Sequence, residues 1–195
     1  MRLDLTAAVI AGGAGRRMGM DKRTIPVDGI PLLARAVAAV SQIATEVLVA
    51  TTRTRPLPVE LSADVRIVHD RVSHGGPLAG IEAALAEASH ELVLIVAGDM
   101  PWLQQPLLRL LVERARAEPQ ADAVAIQAAR GLEPLLAVYR PAVRPALTGL
   151  VDRGERRVGR LLELVRVVAV SEDAWRRADP EGISLVNLNR PADIR

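Results

Sequence analysis

Ala11-Gly12-Gly13-Ala14-Gly15-Arg16-Arg17-Met18-Gly19-Met20-Asp21-Lys22 follows directly on the apolar run Leu5-Thr6-Ala7-Ala8-Val9-Ile10. A short run of small and β-branched residues, cut off by glycines, is the pattern of a buried strand entering a loop. Glycines let backbone amides approach an anion closely and allow positive φ. The loop therefore forms a nest of N–H donors, to which Arg17 and Lys22 add positive charge. It lacks the Gly-Lys-Ser/Thr ending of a Walker A loop, and Met18 stands where the third glycine of a dinucleotide fingerprint would fall. The stretch predicts a triphosphate cradle at the end of a first strand.

Outward from that loop the chain alternates. Residues 32–43 carry apolar side chains at helical spacing, 46–51 read as a strand, 53–62 as a loop and 65–69 as another strand. Gly75-Gly76-Pro77 turns the chain into a helix over 78–88, with the proline near its first turn, where a missing amide donor does no harm. Residues 91–97 (ELVLIVA) form the most hydrophobic strand and run into Gly98-Asp99-Met100-Pro101. A near-continuous apolar strand implies burial on both faces. Alternation of this kind implies a parallel sheet between helix layers with right-handed crossovers. Ligands in such a sheet sit beyond the carboxyl ends of the strands, so the loops after residues 10 and 97 share one crevice. The second half predicts a helix over 106–117, strands over 123–127 and 135–139 joined by a hairpin-like turn, and helices over 142–152 and 158–164. Two more strands are expected at 165–170 and 183–186. The expected fold class is α/β: a single three-layer α/β/α, Rossmann-like domain over residues 1–195, with a mostly parallel sheet and an antiparallel excursion in its second half.

Composition narrows the function. Half of the 195 residues are hydrophobic and a quarter are charged, as in an ordinary globular chain. With no cysteine, disulfides, zinc-thiolate sites, iron–sulfur clusters and cysteine nucleophiles are excluded. The net charge of +2 and the absence of a basic run interleaved with aromatics argue against nucleic acid. There is neither a signal-peptide pattern nor an apolar run of about 20 residues, so no membrane association is expected and the cytoplasm is the default location. Of the 25 basic residues only Lys22 is a lysine. In a chain that otherwise uses arginine, that one compact ammonium is expected to act as a point charge among phosphate oxygens.

Asp99, immediately after the buried strand, is placed either to hold Mg²⁺ against phosphate oxygens or to cap the helix that follows. Its position opposite the glycine loop favours the metal. Asp70 ends a strand before a second glycine-bearing loop and either reaches the nucleotide or caps a turn. Gly154-Glu155-Arg156-Arg157-Val158 is either an anion contact or a solvated face. Asn187-Leu188-Asn189 puts two side-chain amides at alternate positions, for a substrate or for a turn. His69, His74 and His90 lack metal-ligand spacing, and no Ser-His-acid arrangement suggests a hydrolase.

Taken together, residues 11–22, Gly-Pro-Leu-Ala-Gly at 76–80, Asp-Met-Pro at 99–101, Pro-Leu-Leu-Ala-Val-Tyr-Arg at 134–140, Gly-Glu-Arg-Arg-Val at 154–158 and Asn-Leu-Asn at 187–189 resemble the molybdenum cofactor guanylyltransferase family over essentially the whole chain. The resemblance implies a nucleotidyltransferase that moves GMP from Mg-GTP to molybdopterin carrying molybdenum, with Mg²⁺ as cofactor. It implies nucleotide binding by Ile10, Ala11, Gly12, Gly13, Lys22, Asp70 and Asp99, and catalysis by Arg17, Lys22 and Asp99, the last holding the metal. Arg156, Asn187 and Asn189 fall on the molybdopterin side. Residues 1–100 are then mainly nucleotide-binding and 101–195 mainly acceptor-binding. Partners implied are other cofactor-biosynthesis proteins and recipient molybdoenzymes. The chain departs from the family at Ala50, where some relatives carry Asn, and at Glu133, where His or Gln is expected.

Two rivals stay open. One is a relative on the same scaffold that uses CTP or another phosphate acceptor; Gly12-Gly13, in place of Ala-Ala-Gly, favours guanine. The other is a GTP-binding or delivery module without turnover, which would have less need of Asp99.

Overall fold

The structure is a computed structural model that describes residues 1–12, 21–54, 57–72 and 75–188, with Lys22 described by its backbone alone. Nine strands and six helices lie within these residues. The strands are β1 (Leu3–Ile10), β2 (Pro26–Val27), β3 (Ile30–Pro31), β4 (Ala44–Thr51), β5 (Val65–His69), β6 (Val93–Ala97), β7 (Ala123–Ala128), β8 (Gly131–Tyr139) and β9 (Val167–Val170). The helices are α1 (Leu32–Ser41), α2 (Gly76–Glu87), α3 (Gln105–Ala117), α4 (Arg144–Asp152), α5 (Gly159–Leu162) and α6 (Glu172–Trp175). No described helix is long and apolar enough to cross a membrane.

Seven strands form one sheet in the order β5-β4-β1-β6-β8-β7-β9. All neighbours run parallel except β8, which is antiparallel to both β6 and β7. This is the α/β domain with the antiparallel excursion that the sequence implied. The period-2 alternation of a strand splits the core in two. Leu5, Ala7 and Val9 of β1 and Leu94 and Val96 of β6 face α1 and α3, while Ala8, Ile10, Val93 and Ile95 face α2 and α4. Both faces are dry, which is why β6 reads as continuously apolar. Gly80 lets α2 lie close on the sheet: a Cβ there would stand 3.0 Å from Ile10 Cγ2 and 3.6 Å from Ala50 Cβ.

Some expectations need correcting. Residues 183–186 are not a strand. Ile183–Leu185 form a 3-10 turn introduced by Gly182 at φ 68°, and the Asp179 carboxylate accepts the N–H groups of Ile183 and Ser184. β8 begins at Gly131 rather than 135, so the hairpin turn is shorter than expected. Hairpin β2–β3 was missed, although Asp28-Gly29 is a strong signal for a two-residue turn with both φ positive, here 50° and 78°.

At the opposite end of the sheet from the strand C-termini, Glu46 is held by four donors. Its Oε2 accepts from Thr6 Oγ1 at 2.5 Å and Ser89 N at 2.9 Å, and its Oε1 from Arg66 Nη1 at 2.6 Å and Ser89 Oγ at 2.9 Å. Burial opposes its ionisation, but these bonds outweigh burial and hold the carboxyl at about 2. The stability this gives is complete above the ordinary value of 4.5 and is lost as pH falls toward 2. Glu46→Gln is expected to lower unfolding free energy by about 2 kcal/mol at pH 7 and to flatten the acid limb of a melting-temperature profile between pH 5 and about 3. An unchanged acid limb would show that the cluster is not ionised as described.

Candidate active site

The C-terminal ends of β5, β4, β1 and β6 lie level, with Thr51 paired to His69, Ile10 to Ala50 and Ile10 to Ala97. The chain order along the sheet reverses beside β1, and in an open α/β sheet the ligand crevice lies outside the strand ends at such a point. Backbone contacts lock the loops at this point. Gly98 N donates to Ile10 O at 3.0 Å, Ala11 N to Ala50 O at 2.8 Å and Asp70 N to Thr51 O at 3.0 Å. A Cβ on Gly98 would sit 3.1 Å from that same Ile10 carbonyl, so the approach of the two strand ends depends on glycine. Gly12 lies against Asp70, whose Oδ2 would be 3.4 Å from a Cβ added at Gly12. Ile10, Ala11, Gly12, Asp70 and Asp99 are thus on one rim. Gly13, Arg17, Asn189 and the side chain of Lys22 lie outside the described residues.

Where the glycine loop rejoins the core, Asp21 and Arg23 form a clamp that sequence reading missed. Arg23 is 6% exposed. Its Nε donates to Asp21 Oδ1 at 2.9 Å, its Nη2 to Asp21 Oδ2 at 2.6 Å and its Nη1 to Thr51 Oγ1 at 3.4 Å. Thr24 Oγ1 donates to Asp21 O at 2.8 Å. The planar guanidinium matches the carboxylate in a fork, so the backbone of Lys22 is anchored to the end of β4. The signal was the Asp-x-Arg spacing at residues 21–23. Arg35 of α1 makes a similar tie on the other side, donating to Val27 O at 3.0 Å and to Pro101 O at 3.2 Å. It joins the β2–β3 turn to the loop that carries Asp99.

Asp70 is 7% exposed, and its Oδ1 is buried with no hydrogen-bond partner among the described residues. Burial pushes its carboxyl above the ordinary value, and the Glu82 carboxylate adds to the rise. Glu82, also buried, accepts from Thr148 Oγ1 at 2.8 Å and Arg71 Nη2 at 3.1 Å, while Arg71 also reaches Asp152 at 2.7 Å, bracing α2 against α4. Ala50 is wholly buried beneath α2, so it is a core residue and not a ligand contact. The side chain at this strand end that approaches Gly12 is Thr52.

Beside the rim, Ala97, Asp99, Met100, Glu133, Pro134, Leu135 and Asn187 line an open pocket of about 180 Å³. Glu133 reaches it through a bulge. The β7–β8 register jumps from Ala125–Ala137 to Ile126–Glu133, leaving residues 134–136 without opposite numbers. The hydroxyl of the wholly buried Tyr139 props the bulge by donating to Pro134 O at 2.8 Å. Burial holds the Tyr139 phenol far above its ordinary value, so it stays a donor. Burial also raises the Glu133 carboxyl, against the pull of Arg130. Asn187 presents a buried Oδ1 with no hydrogen-bond partner among the described residues, and Leu188 N donates to Asp99 O at 3.0 Å. Arg156 is not brought to this pocket. It lies exposed on the turn after Gly154, where Glu155 Oε1 accepts from Arg157 N at 2.9 Å and Arg156 N at 2.8 Å.

The family model that matches is the MobA-like NTP transferase domain, over residues 7–170. The chain belongs to this family. It is similar to the probable molybdenum cofactor guanylyltransferase of Methanothermobacter thermautotrophicus, 34% identical over 197 residues that cover 97% of both chains. It is also similar to the molybdenum cofactor guanylyltransferase of Pseudomonas syringae pv. tomato, at 33% identity over 94% of this chain and 88% of that one. Among solved structures, molybdopterin-guanine dinucleotide biosynthesis protein A from Archaeoglobus fulgidus superposes with a TM-score of 0.81 at 26% identity, over 97% of this chain and 94% of the other. As a MobA-like NTP transferase the chain is an enzyme, a nucleotidyltransferase. The family match stops at residue 170, short of Asn187, but the similarity to the Methanothermobacter protein extends over nearly the whole chain.

Asp70→Asn is expected to raise the melting temperature of the ligand-free protein at pH 7 by about 2 °C or more, given about 2–4 °C per kcal/mol for a chain of this size. A raised carboxyl makes folding less favourable as pH climbs above the ordinary value of 3.8, and the gain should vanish below it, where Asp70 is protonated both folded and unfolded. Calorimetry across pH 3–8 checks this; a lower melting temperature at pH 7 refutes it.

Proposed function

We propose that this chain transfers GMP from GTP to the terminal phosphate of molybdopterin carrying molybdenum, forming the guanine dinucleotide cofactor and pyrophosphate. The observation that carries the reading is the meeting, at Asp99, of the nucleotide rim and the segment bearing Asn187. Relatives similar over nearly the full chain bear the name of that activity.

A phosphate oxygen of the acceptor forms a new bond to the α-phosphorus of GTP. The α–β bridging bond breaks, and its electron pair leaves on pyrophosphate. No protein atom bonds to substrate, so positioning and charge stabilisation supply the catalysis. Residues 10–12 and Gly13 offer the phosphates the backbone of a glycine turn, with Arg17 and Lys22 as cations. The buried Asp70 Oδ1, without a hydrogen-bond partner among the described residues, is proposed to accept one donor from the nucleotide, an N–H or a hydroxyl. Its exclusion from solvent makes an analogue lacking that donor a poor ligand.

We propose Mg²⁺ as the divalent ion such a transferase needs. Asp99, Glu133 and Asn187 are among the residues that line the pocket, and the carboxylate and amide oxygens they carry are of the kind this hard cation prefers. Asp99 would hold it, and it would supply neutralisation of the charge that builds on the phosphate oxygens. Asn187 turns its amide oxygen to the acceptor, and Asn189 and Arg156 are proposed for the same side. Molybdopterin-producing proteins and recipient molybdoenzymes would be its partners, and a cytoplasmic location fits such substrates.

Lys22→Ala is expected to lower GMP transfer by roughly a hundredfold or more, the scale for losing one electrostatic donor. Asp70→Asn should weaken GTP binding while leaving the fold intact. Pyrophosphate release with each of the four triphosphates and molybdenum-loaded molybdopterin tests the base. Faster release with CTP would overturn the choice of guanine, and GTP binding without Mg²⁺-dependent product would reduce the chain to a binding module.

A further inference from the structure

The segment after Gly182 does not belong to the sheet, yet it delivers Asn187 to the transfer pocket. Three sets of contacts hold it. The Asp179 carboxylate, 2% exposed, accepts from Ser184 N at 2.9 Å through Oδ2 and from Ile183 N at 3.2 Å through Oδ1. Ser184, wholly buried, accepts the N–H of Gln104 on its Oγ at 2.9 Å. Leu188 then donates its N–H to Asp99 O at 3.0 Å and packs its side chain with Val27, Leu32 and Trp102.

The two bonds to the rest of the fold fall at the two ends of one loop. Residues 99–104 carry Asp99 at one end and lead into α3 at the other. Ser184 is pinned to the far end and Leu188 to the near end, so residues 185–187 span between fixed points. Asp179 sets the turn that aims Ser184, and Gly182 starts that turn with the Trp175 ring 3.4 Å from where a Cβ would stand. Buried carboxylates that accept two backbone N–H groups make rigid corners, because releasing either N–H strands it away from water.

We propose that Asp179 and Ser184 are positioning residues for the acceptor side of the reaction: they hold Asn187 in register with Asp99 and touch neither substrate. The inference rests on the proposed function, which assigns Asn187 to the acceptor. It predicts a split between the two substrates. GTP meets the ends of β1 and β5, which this clamp does not contact, and at Asp99 the segment bonds only the backbone carbonyl, whereas the acceptor meets Asn187. A misplacement of about 1 Å at a reacting group is enough to cost up to about a hundredfold in rate.

The test is a double-mutant cycle read with separate substrates. In Ser184→Ala, the GTP Kd measured without acceptor should stay within about twofold of wild type, while kcat/KM for molybdenum-loaded molybdopterin falls about tenfold or more. Asn187→Ala should show a loss of the same kind, and adding Ser184→Ala to it should change kcat/KM by less than about twofold, because the clamp acts through Asn187. Should Ser184→Ala fail to fold, Asp179→Asn, which keeps one acceptor oxygen, replaces it in the same cycle. Equal losses for both substrates, multiplying effects in the double variant, or an Asn187→Ala enzyme of normal acceptor kcat/KM would each overturn the proposal. Wild-type GMP transfer in the same assay tests the proposed function separately.

Discussion

The site depends on one backbone approach, the Gly98 amide against the Ile10 carbonyl. Both strands end there, and absence of a side chain at residue 98 lets them end side by side. Gly12 follows one strand and Asp99 the other, so the placement of these two residues relative to each other is set by sheet pairing. Catalysis by charge placement needs this. Fixed dipoles and charges act on a developing phosphate charge only to the extent that they need not reorganise. The dry packing of β1 and β6 on both faces supplies the rigidity.

Around that centre the chain spends buried charge in two different ways. Glu46, at the far end of the sheet, is surrounded by donors and is structural. Asp70, at the site end, is buried with an oxygen unanswered among the described residues. The same functional group, a carboxylate, stabilises in one place and is tolerated at a loss in the other, and the difference separates scaffold from candidate binding group without reference to any relative.

Much of this was legible in the sequence because the signals were local. The apolar run of β6 and the glycines after β1 identify a parallel sheet and its ligand edge, and they put Asp70 and Asp99 on one rim. What could not be read was decided by distant partners. Ala50 is core because Gly80 packs on it, and Arg23 is a clamp because Asp21 and Thr51 meet it. Residues 183–186 have the composition of a strand, but the Asp179 carboxylate takes up N–H groups a ladder would have used. Asn187 reached the pocket beside Asp99 by a route its own strand-like sequence did not reveal. Arg156 stayed outside the pocket because Glu155 fixes the backbone beside it, a contact between neighbours whose outcome depends on the turn at Gly154.

The antiparallel run of β8 has a consequence for how this scaffold diversifies. Parallel strands bring only their ends to a crevice, each tied to a helix that must return beneath the sheet. β8 instead brings its beginning, fed by a two-residue turn from β7, and Tyr139 braces the bulge from below. The wall that holds Glu133 is therefore the tip of a hairpin overhanging the pocket. Lengthening or rewriting a hairpin tip adds little chain entropy and disturbs no crossover. That wall can change while the strand ends locked at residues 10 and 98 stay as they are.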